Sequence, residues 1–200
     1  MSWFSLIETE RLFVREYMQD DVESRVALMR ESFESDYTLE QHRHWLDWTI
    51  ASYREHGAMS QPPYGDYAVE LKSSGEVIGS VGLVPQGVPW ATMPEWRSPG
   101  EPVHALVTAE FGLFWAIRKA HRGQGYACEA AHAFMHQFMF NIMHVKRAVA
   151  TTDHDNVGSQ RVMEKLGMTL YRNPESEPFW FNVVGVLYNP ALTQPALDRP

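Results

Sequence analysis

The sequence predicts a single α/β domain, in which strands and helices alternate along the chain. Three observations support this prediction: 44% of the 200 residues are hydrophobic, no linker or internal repeat divides the chain, and strand periodicity alternates with helical periodicity. A chain of this size buries most of its apolar surface, which excludes a disordered or fibrous protein. We therefore expect one domain over residues 1–200.

The first third of the chain predicts one strand and a pair of helices. Apolar and polar residues alternate up to about Tyr17, which is the period of a strand with two different faces. A short helix follows, and a second helix begins where Thr38 and Gln41 resemble a capping box and ends near Gly57. We expect these two helices to form one hairpin.

Two further strands, over 67–71 and 77–84, are joined by a short loop with a glycine, which predicts an antiparallel hairpin. The next segment, 85–102, contains five prolines and has no periodicity, so it predicts a long irregular loop. Trp90 and Trp96 in this loop either line a substrate entrance or pin the loop to the surface, and the sequence favours neither role.

The second half of the chain continues the alternation of strand and helix. A nearly unbroken apolar run over 109–117 predicts a central strand that is covered on both faces. The glycine-rich segment RGQGYA, residues 122–127, then leads into a helix that continues to about Phe140. The remaining predicted elements are a strand over 145–151, a helix from Asn156 to Leu166, and two strands over 168–171 and 179–187.

Composition and charge exclude several functions. The 17 basic and 25 acidic residues give a net charge of −8, which argues against nucleic acid as a partner. The one cysteine, Cys128, cannot form an internal disulfide or a thiolate zinc cage, which fits a reducing compartment. No segment approaches the roughly 20 apolar residues that span a bilayer, and the amino terminus lacks a leader pattern. We expect a cytoplasmic protein that does not bind membranes.

The order of strand, glycine loop and helix predicts a phosphate-binding turn. Backbone N–H groups point outward at the positive end of the helix, and Gly123 and Gly125 lack the Cβ atoms that would keep an anion away. Arg122 adds a guanidinium that can contact pyrophosphate oxygens. A nucleoside triphosphate P-loop needs Gly-Lys-Ser/Thr, which is absent, and a dinucleotide site needs a third glycine where Cys128 stands. Residues 122–127 therefore match neither of these two phosphate-binding motifs well.

These residues resemble the acetyl-CoA-dependent N-acetyltransferase superfamily, GNAT. The pyrophosphate loop of the family reads Arg/Gln-x-x-Gly-x-Gly/Ala, which residues 122–127 match. Residues 156–168 are similar to the Asn-x-x-Ser…Glu-Lys-Leu-Gly-Phe block of the family. Residues 8–15 and 75–79 resemble the branch that contains ribosomal-protein-alanine acetyltransferases, so the resemblance spans most of the chain.

The resemblance implies a mixed, mostly antiparallel sheet of about seven strands, flanked by helices and splayed where acetyl-CoA binds. It implies transfer of an acetyl group from acetyl-CoA to a primary amine by direct attack, without a metal. The cofactor-binding residues that it implies are Trp115, Ala116, Ile117, Arg122, Gly123, Gln124, Gly125, Tyr126, Ala127, Asn156 and Ser159. The partners are acetyl-CoA and the amine acceptor, and a homodimer is left open.

Glu110 and Ser159 are the candidates for catalysis. Glu110 is a candidate base because a carboxylate inside an apolar strand is partly desolvated, which raises its pKa toward the operating pH. Alternatively, Glu110 lies at the exposed strand end and binds a cationic substrate, and water serves as the base. The resemblance places Met163 where relatives carry a tyrosine that protonates the departing thiolate, which leaves Ser159 as the proton donor and Asn156 as an orienting residue. Their alternative roles are a helix cap and a hydrogen bond to the backbone.

Three questions remain open at this point. A peptide amino terminus, a polyamine and an aminoglycoside are all cationic and would all suit a protein with more acidic than basic residues. The acceptor is therefore undetermined. The alternative function is a non-catalytic module that binds or senses acyl-CoA, because the tyrosine is missing. His132 and His136 are spaced for a metal on one helix, but no third ligand has a diagnostic spacing, so we expect ordinary helix residues.

Overall fold

A computed structural model describes residues 4–62 and 64–192 of the chain. Within these residues the chain forms eight strands and four α-helices: β1 (Ile7–Glu8), β2 (Leu12–Arg15), α1 (Val22–Phe33), α2 (Leu39–Ala58), β3 (Gly65–Leu71), β4 (Val77–Pro89), β5 (Val107–Ile117), α3 (Tyr126–Ala133), β6 (Arg147–Thr152), α4 (Val157–Lys165), β7 (Thr169–Arg172) and β8 (Val183–Tyr188). The strands follow the order β1-β2-β3-β4-β5-β6-β8-β7. The pairs β1–β2, β2–β3, β3–β4, β6–β8 and β7–β8 are antiparallel, and β5 pairs with β6 in parallel. The predicted fold class is confirmed, and the short β1 brings the number of strands to eight rather than about seven.

The chain divides into two compact units that alternate along the sequence. Unit 1 comprises Met1–Leu83 and Phe114–Met143, and unit 2 comprises Val84–Leu113 and His144–Pro200. The boundaries fall inside β4 and β5, so each of these two strands contributes residues to both units. The prediction of a single domain is not tested by this division and stays a prediction.

Unit 1 contains the α1–α2 hairpin and helix α3. Helix α2 begins at the predicted capping box, in which Gln41 N donates to Thr38 Oγ1 at 3.3 Å and Thr38 N donates to Gln41 Oε1 at 2.7 Å. The predicted hairpin of β3 and β4 is confirmed, with Tyr67 opposite Val81. Helix α3 continues as a π-helical segment, Phe134–Phe140, so the predicted helix does extend to Phe140 but with a wider last part.

Unit 2 contains the parallel pair of β5 and β6 and the antiparallel ladder of β6, β8 and β7. Strands β6 and β8 pair along their length, from Arg147 opposite Tyr188 to Thr152 opposite Val183. Among the described residues, β5 and β6 pair only where Gly112 lies opposite Val149. A parallel pair with a single point of contact is what the predicted splay of the central strands requires.

The prediction of an irregular loop over 85–102 is partly wrong, because β4 continues to Pro89 and a 3₁₀ turn, Trp90–Thr92, follows it. The side chains of Trp90 and Trp96 are 0% and 8% exposed, and their ring centroids lie 4.8 Å apart. They belong to a buried cluster with Val88, Met93, Val149, Phe181, Val184 and Val186. The tryptophans therefore pin this segment by packing into the core and do not line an entrance, because burying two large rings is strongly favourable.

The last predicted strand begins too early. Phe179–Phe181 forms a 3₁₀ turn, and β8 starts at Val183. An apolar run of this length does not by itself distinguish a short turn from a strand. Of the helices within the described residues, none combines the length and the apolar character that crossing a bilayer requires.

Candidate functional site

The glycine loop lies in unit 1, between the end of β5 and the start of α3. It begins with a 3₁₀ turn, Lys119–His121, and residues 122–125 that follow are exposed. Gly123 and Gly125 have φ angles of 76° and 86°, a left-handed conformation that residues with a Cβ rarely adopt. The predicted order of strand, glycine loop and helix is thus present, with the glycines at the positions where the backbone demands them.

The N–H groups of this loop have no acceptor among the described residues. In the part of the chain that the structure describes, the backbone N–H groups of residues 123–127 donate no hydrogen bond to another residue. In the first turn of α3, the N–H of Glu129 donates to Gly125 O at 3.0 Å. Five adjacent donors at the positive end of a helix are an arrangement that suits an anion.

Arg122, a predicted ligand of pyrophosphate, also contacts two elements of the protein. Its Nε donates to Ile117 O at 2.7 Å, and its Nη2 donates to Ser32 Oγ at 3.0 Å. The guanidinium therefore ties the loop to the end of β5 and to the last turn of α1. Nη1 of Arg122 makes no hydrogen bond within the described residues, so the predicted contact of Arg122 with pyrophosphate stays a prediction.

The last turn of α1 also contacts the 3₁₀ turn with which the loop begins. The carboxylate of Glu31 accepts a hydrogen bond from Lys119 N at 2.7 Å and lies 3.5 Å from Nε of Arg118. The hydrogen bond from Lys119 N keeps the pKa of Glu31 below its usual value, so this carboxylate stays ionised. Glu31 and Ser32 carried no sequence signal for this role, since the contact spans about 90 residues of chain.

The amino-terminal segment holds the helix side of the loop. The guanidinium of Arg11 pairs with Glu129 in the first turn of α3 and lies over the ring of Tyr126, with its carbon atom 4.4 Å from the ring centroid. Thr9 Oγ1 donates to the same carboxylate at 2.6 Å. The segment Glu8–Leu12 was visible in the sequence only as part of a family resemblance, and its contact with the loop was missed.

The three predicted cofactor-binding residues of β5 lie directly before the loop. Ala116 and Ile117 are 8% and 6% exposed, and Trp115 is half-buried. Gly79 of β4 approaches this strand so closely that an added Cβ would lie 2.3 Å from Ala116 O. The backbone of β5 is therefore held in place at the residue where the loop departs.

We expect Gly79→Ala to lower the free energy of unfolding by about 2–4 kcal/mol, because the methyl group forces β4 away from Ala116. Urea-induced unfolding measures this change. Gly158→Ala is a matched control, since its Cβ would meet nothing closer than Asn156 Oδ1 at 3.6 Å and alanine favours a helix. Equal stability of Gly79→Ala and the wild type would show that β4 and β5 do not need this close approach.

Glu110 lies in unit 2, and its pKa is lowered, whereas the prediction of a base rested on a raised pKa. Its two carboxylate oxygens accept hydrogen bonds from Nε and Nη2 of Arg147, and Oε1 also accepts one from Thr108 Oγ1 at 2.7 Å. Burial raises the pKa of Glu110, but the hydrogen bonds from Arg147 and Thr108 outweigh this effect and hold it below its usual value. The argument from desolvation was wrong because it took no account of a buried cation on another strand.

The pair of Glu110 and Arg147 is part of a buried network. The side chains of Glu110 and Arg147 are 11% and 6% exposed, which also contradicts an exposed strand end that binds a cationic substrate. Trp90 Nε1 donates to Thr108 Oγ1 at 2.7 Å, and the guanidinium carbon of Arg147 lies 4.5 Å from the centroid of the Trp90 ring. This arrangement is that of a structural ion pair with all of its polar groups engaged.

Asn156 and Ser159 lie at the start of α4, also in unit 2. Asn156 caps the helix, since its Oδ1 accepts a hydrogen bond from Ser159 N at 3.0 Å. The hydroxyl of Ser159 is half-buried and makes no hydrogen bond within the described residues, so the alternative role of satisfying a backbone group is not observed. Met163, which stands where a tyrosine was expected, is 1% exposed and packs in the core.

His132 and His136 lie side by side on α3 and its π-helical extension, with ring centroids 4.4 Å apart. Burial and the neighbouring His132 lower the pKa of His136. No group of three His, Cys, Asp or Glu residues within 4–62 and 64–192 is arranged to hold a metal ion.

The sheet and the glycine loop together define the class to which this protein belongs. The family described as acetyltransferase (GNAT) domain matches residues 11–169, which is most of the chain. The chain belongs to this family, and the predicted resemblance is confirmed.

Three individual proteins that resemble this chain share less than a third of its residues over the matched segments. The uncharacterized protein YkkB of Bacillus subtilis is 31% identical over 128 residues, which are 64% of this chain and 60% of that protein, so the match spans less than two thirds of the relative's length. A ribosomal-protein-S5-alanine acetyltransferase from Vibrio fischeri has a TM-score of 0.64 and 14% identity, over 96% of this chain and 100% of that chain. A ribosomal-protein acetyltransferase called RimL, solved with coenzyme A, has a TM-score of 0.57 and 16% identity, over 91% and 96%. At these identities the solved structures establish a shared fold.

Proposed function

We propose that this protein transfers an acetyl group from acetyl-CoA to a primary amine. The observation that carries the proposal is the row of five backbone N–H groups, residues 123–127, that find no acceptor among residues 4–62 and 64–192 and lie at the positive end of α3. The pyrophosphate of coenzyme A is an anion that suits this row. Membership of the acetyltransferase (GNAT) family and the neighbour solved with coenzyme A support the same ligand.

The two glycines leave the N–H groups of the loop accessible to a pyrophosphate. Gly123 and Gly125 leave the backbone uncovered, and an added Cβ at Gly123 would meet no atom within 4 Å. Gln124, Tyr126 and Ala127 contribute their N–H groups, while Arg122 ties the loop to Ile117 and Ser32. We keep Trp115, Ala116 and Ile117 as the proposed backbone partners of the pantetheine arm, since they form the strand from which the loop departs.

When bound, acetyl-CoA supplies an acetyl thioester, and the amine attacks its carbonyl carbon without a covalent enzyme intermediate. The hydroxyl of Ser159, which is half-buried and free of other hydrogen bonds within the described residues, is the proposed donor of a proton to the departing sulfur. Asn156 holds Ser159 through its capping hydrogen bond. With Glu110 engaged by Arg147, we propose water as the acceptor of the proton that the amine loses.

Ser159→Ala tests the proposed proton donor. We expect kcat to fall roughly tenfold while the Kd for coenzyme A stays unchanged, because the hydroxyl acts on the leaving group and not on binding. Ser73→Ala, in the exposed loop between β3 and β4, is the matched control and is expected to behave as the wild type. A wild-type kcat for Ser159→Ala would reduce Ser159 to a structural residue.

The proposed acceptor is a cationic amine, either a peptide amino terminus or a small molecule. The net charge of −8 supports a cationic acceptor, and the structural neighbour named as a ribosomal-protein-alanine acetyltransferase supports a peptide amino terminus. The alternative, a module that binds acyl-CoA without transferring it, is favoured by the buried Met163 in place of the expected tyrosine.

A thiol-release assay with a panel of amines and amino-terminal peptides distinguishes these two functions. Sustained release of free coenzyme A with any acceptor supports the transferase. Tight binding of acetyl-CoA without turnover across the panel supports the sensory module. Absence of coenzyme A binding by the wild type would contradict both.

A further inference from the structure

Beyond the loop itself, one side chain connects the amino-terminal segment to the glycine loop and to the helix that follows it. We propose that Arg11 is a positioning residue, which sets the orientation of the Gly125 N–H before the pyrophosphate binds. This inference rests on the proposed function and adds to it a residue outside the loop. The two bonding partners of the Arg11 guanidinium, Glu129 and Gln124, carry the argument.

The first partner fixes the guanidinium in place. Nε and Nη2 of Arg11 bind Oε2 of Glu129 at 2.7 and 2.6 Å, and the backbone N–H of Arg11 donates to Oε1 at 2.9 Å. Burial raises the pKa of Glu129, but the hydrogen bonds from Thr9 and Arg11 outweigh it and lower the pKa, so the carboxylate is ionised. A carboxylate with this many charged and polar donors leaves the guanidinium little freedom to move.

The second partner is in the loop. Nη1 of Arg11 donates to the backbone oxygen of Gln124 at 3.0 Å. In a trans peptide unit the carbonyl oxygen and the N–H of the next residue point in opposite directions, so this bond turns the N–H of Gly125 away from Arg11. A glycine has no side chain to fix its own peptide plane, and the guanidinium supplies that restraint from outside.

The geometry requires arginine. One planar fork reaches Glu129 through two nitrogens and Gln124 through the third, while its face lies against Tyr126. A lysine has the same charge, but its donors share one nitrogen, so it lacks the planar fork whose separate nitrogens reach Glu129 and Gln124. The role therefore depends on shape as well as charge, and this difference can be measured.

The test compares two probes, coenzyme A and pantetheine, which lacks the pyrophosphate. For Arg11→Met we expect the Kd for coenzyme A, measured by calorimetry, to rise about tenfold. Without Arg11 the loop becomes ordered only when the ligand binds, and this ordering reduces the binding free energy. Pantetheine binding, followed by ligand-observed NMR, is expected to stay unchanged. Arg54→Met, which removes an exposed arginine that pairs with Glu55, is the matched control and is expected to bind both probes as the wild type does.

Arg11→Lys and Glu129→Gln complete the test. We expect Arg11→Lys to bind coenzyme A as weakly as Arg11→Met, and Glu129→Gln to weaken it in the same direction should Arg11→Met fail to fold. Wild-type affinity in Arg11→Met, equal loss of both probes, or full rescue by lysine would each overturn the positioning role while the proposed function stands. A wild-type protein that binds no coenzyme A would instead refute the proposed function, and the role of Arg11 with it.

Discussion

Gly125→Val is expected to remove measurable coenzyme A binding, with a loss of roughly 100-fold or more, or about 2.7 kcal/mol. Gly125 has a φ of 86°, a conformation that a β-branched residue avoids. Valine therefore rotates the adjoining peptide planes and displaces the N–H groups that are proposed to bind the pyrophosphate. Its Cβ would also lie 3.3 Å from Nη2 of Arg11. Calorimetric titration with coenzyme A measures the effect.

Gly75→Val is the control that separates strain from binding. Gly75 has a φ of 71° in the loop between β3 and β4, and an added Cβ there would meet no atom within 4 Å. We expect both variants to lose a similar amount of stability, about 1–2 kcal/mol, and only Gly125→Val to lose binding. Wild-type affinity in Gly125→Val would show that the pyrophosphate binds elsewhere.

Glu110→Ala is expected to lower the free energy of unfolding by about 3–5 kcal/mol, because it leaves the guanidinium of Arg147 buried without a counter-charge. Urea-induced unfolding followed by tryptophan fluorescence measures this loss. The double variant Glu110→Ala with Arg147→Met is the matched control, since it removes the charge as well as its partner. We expect it to recover part of the lost stability.

The same ion pair has a predictable pH dependence. The folded pKa of Glu110 lies below its usual value, so its stabilisation is present above the unfolded pKa of about 4.3 and is lost as the pH falls through the folded pKa. We expect the difference in unfolding free energy between the wild type and Glu110→Gln to be largest near neutral pH and to shrink below about pH 4. A Glu110→Gln variant with wild-type stability and a large loss of kcat would restore Glu110 as the base.

The features that the sequence predicted well depend on short-range interactions. The capping box of Thr38 and Gln41 and the cap of Asn156 each join residues three apart, so the residue types alone indicate the hydrogen bonds. The left-handed angles of Gly123 and Gly125 are likewise local, because only glycine adopts them at low cost. For the same reason the position of the glycine loop between a strand and a helix was correct.

The features that the sequence did not predict depend on partners far along the chain. Trp90 and Trp96 looked like loop residues because their neighbours include several prolines, and they are core residues because a buried cluster of unit 2 surrounds them. Glu110 looked like a base, and Arg147, 37 residues later, makes it one half of an ion pair.

The sequence by itself determined the fold class, the glycine loop and the family, because each of these can be recognised from local periodicity and motif spacing. The tertiary structure alone decided which charges meet: Arg147 with Glu110, Arg11 with Glu129, and Arg122 with the end of β5. The physical reason is that the pKa and the role of a charged group are set by the burial and the counter-charges around it, and neither is a property of neighbouring residues in the chain.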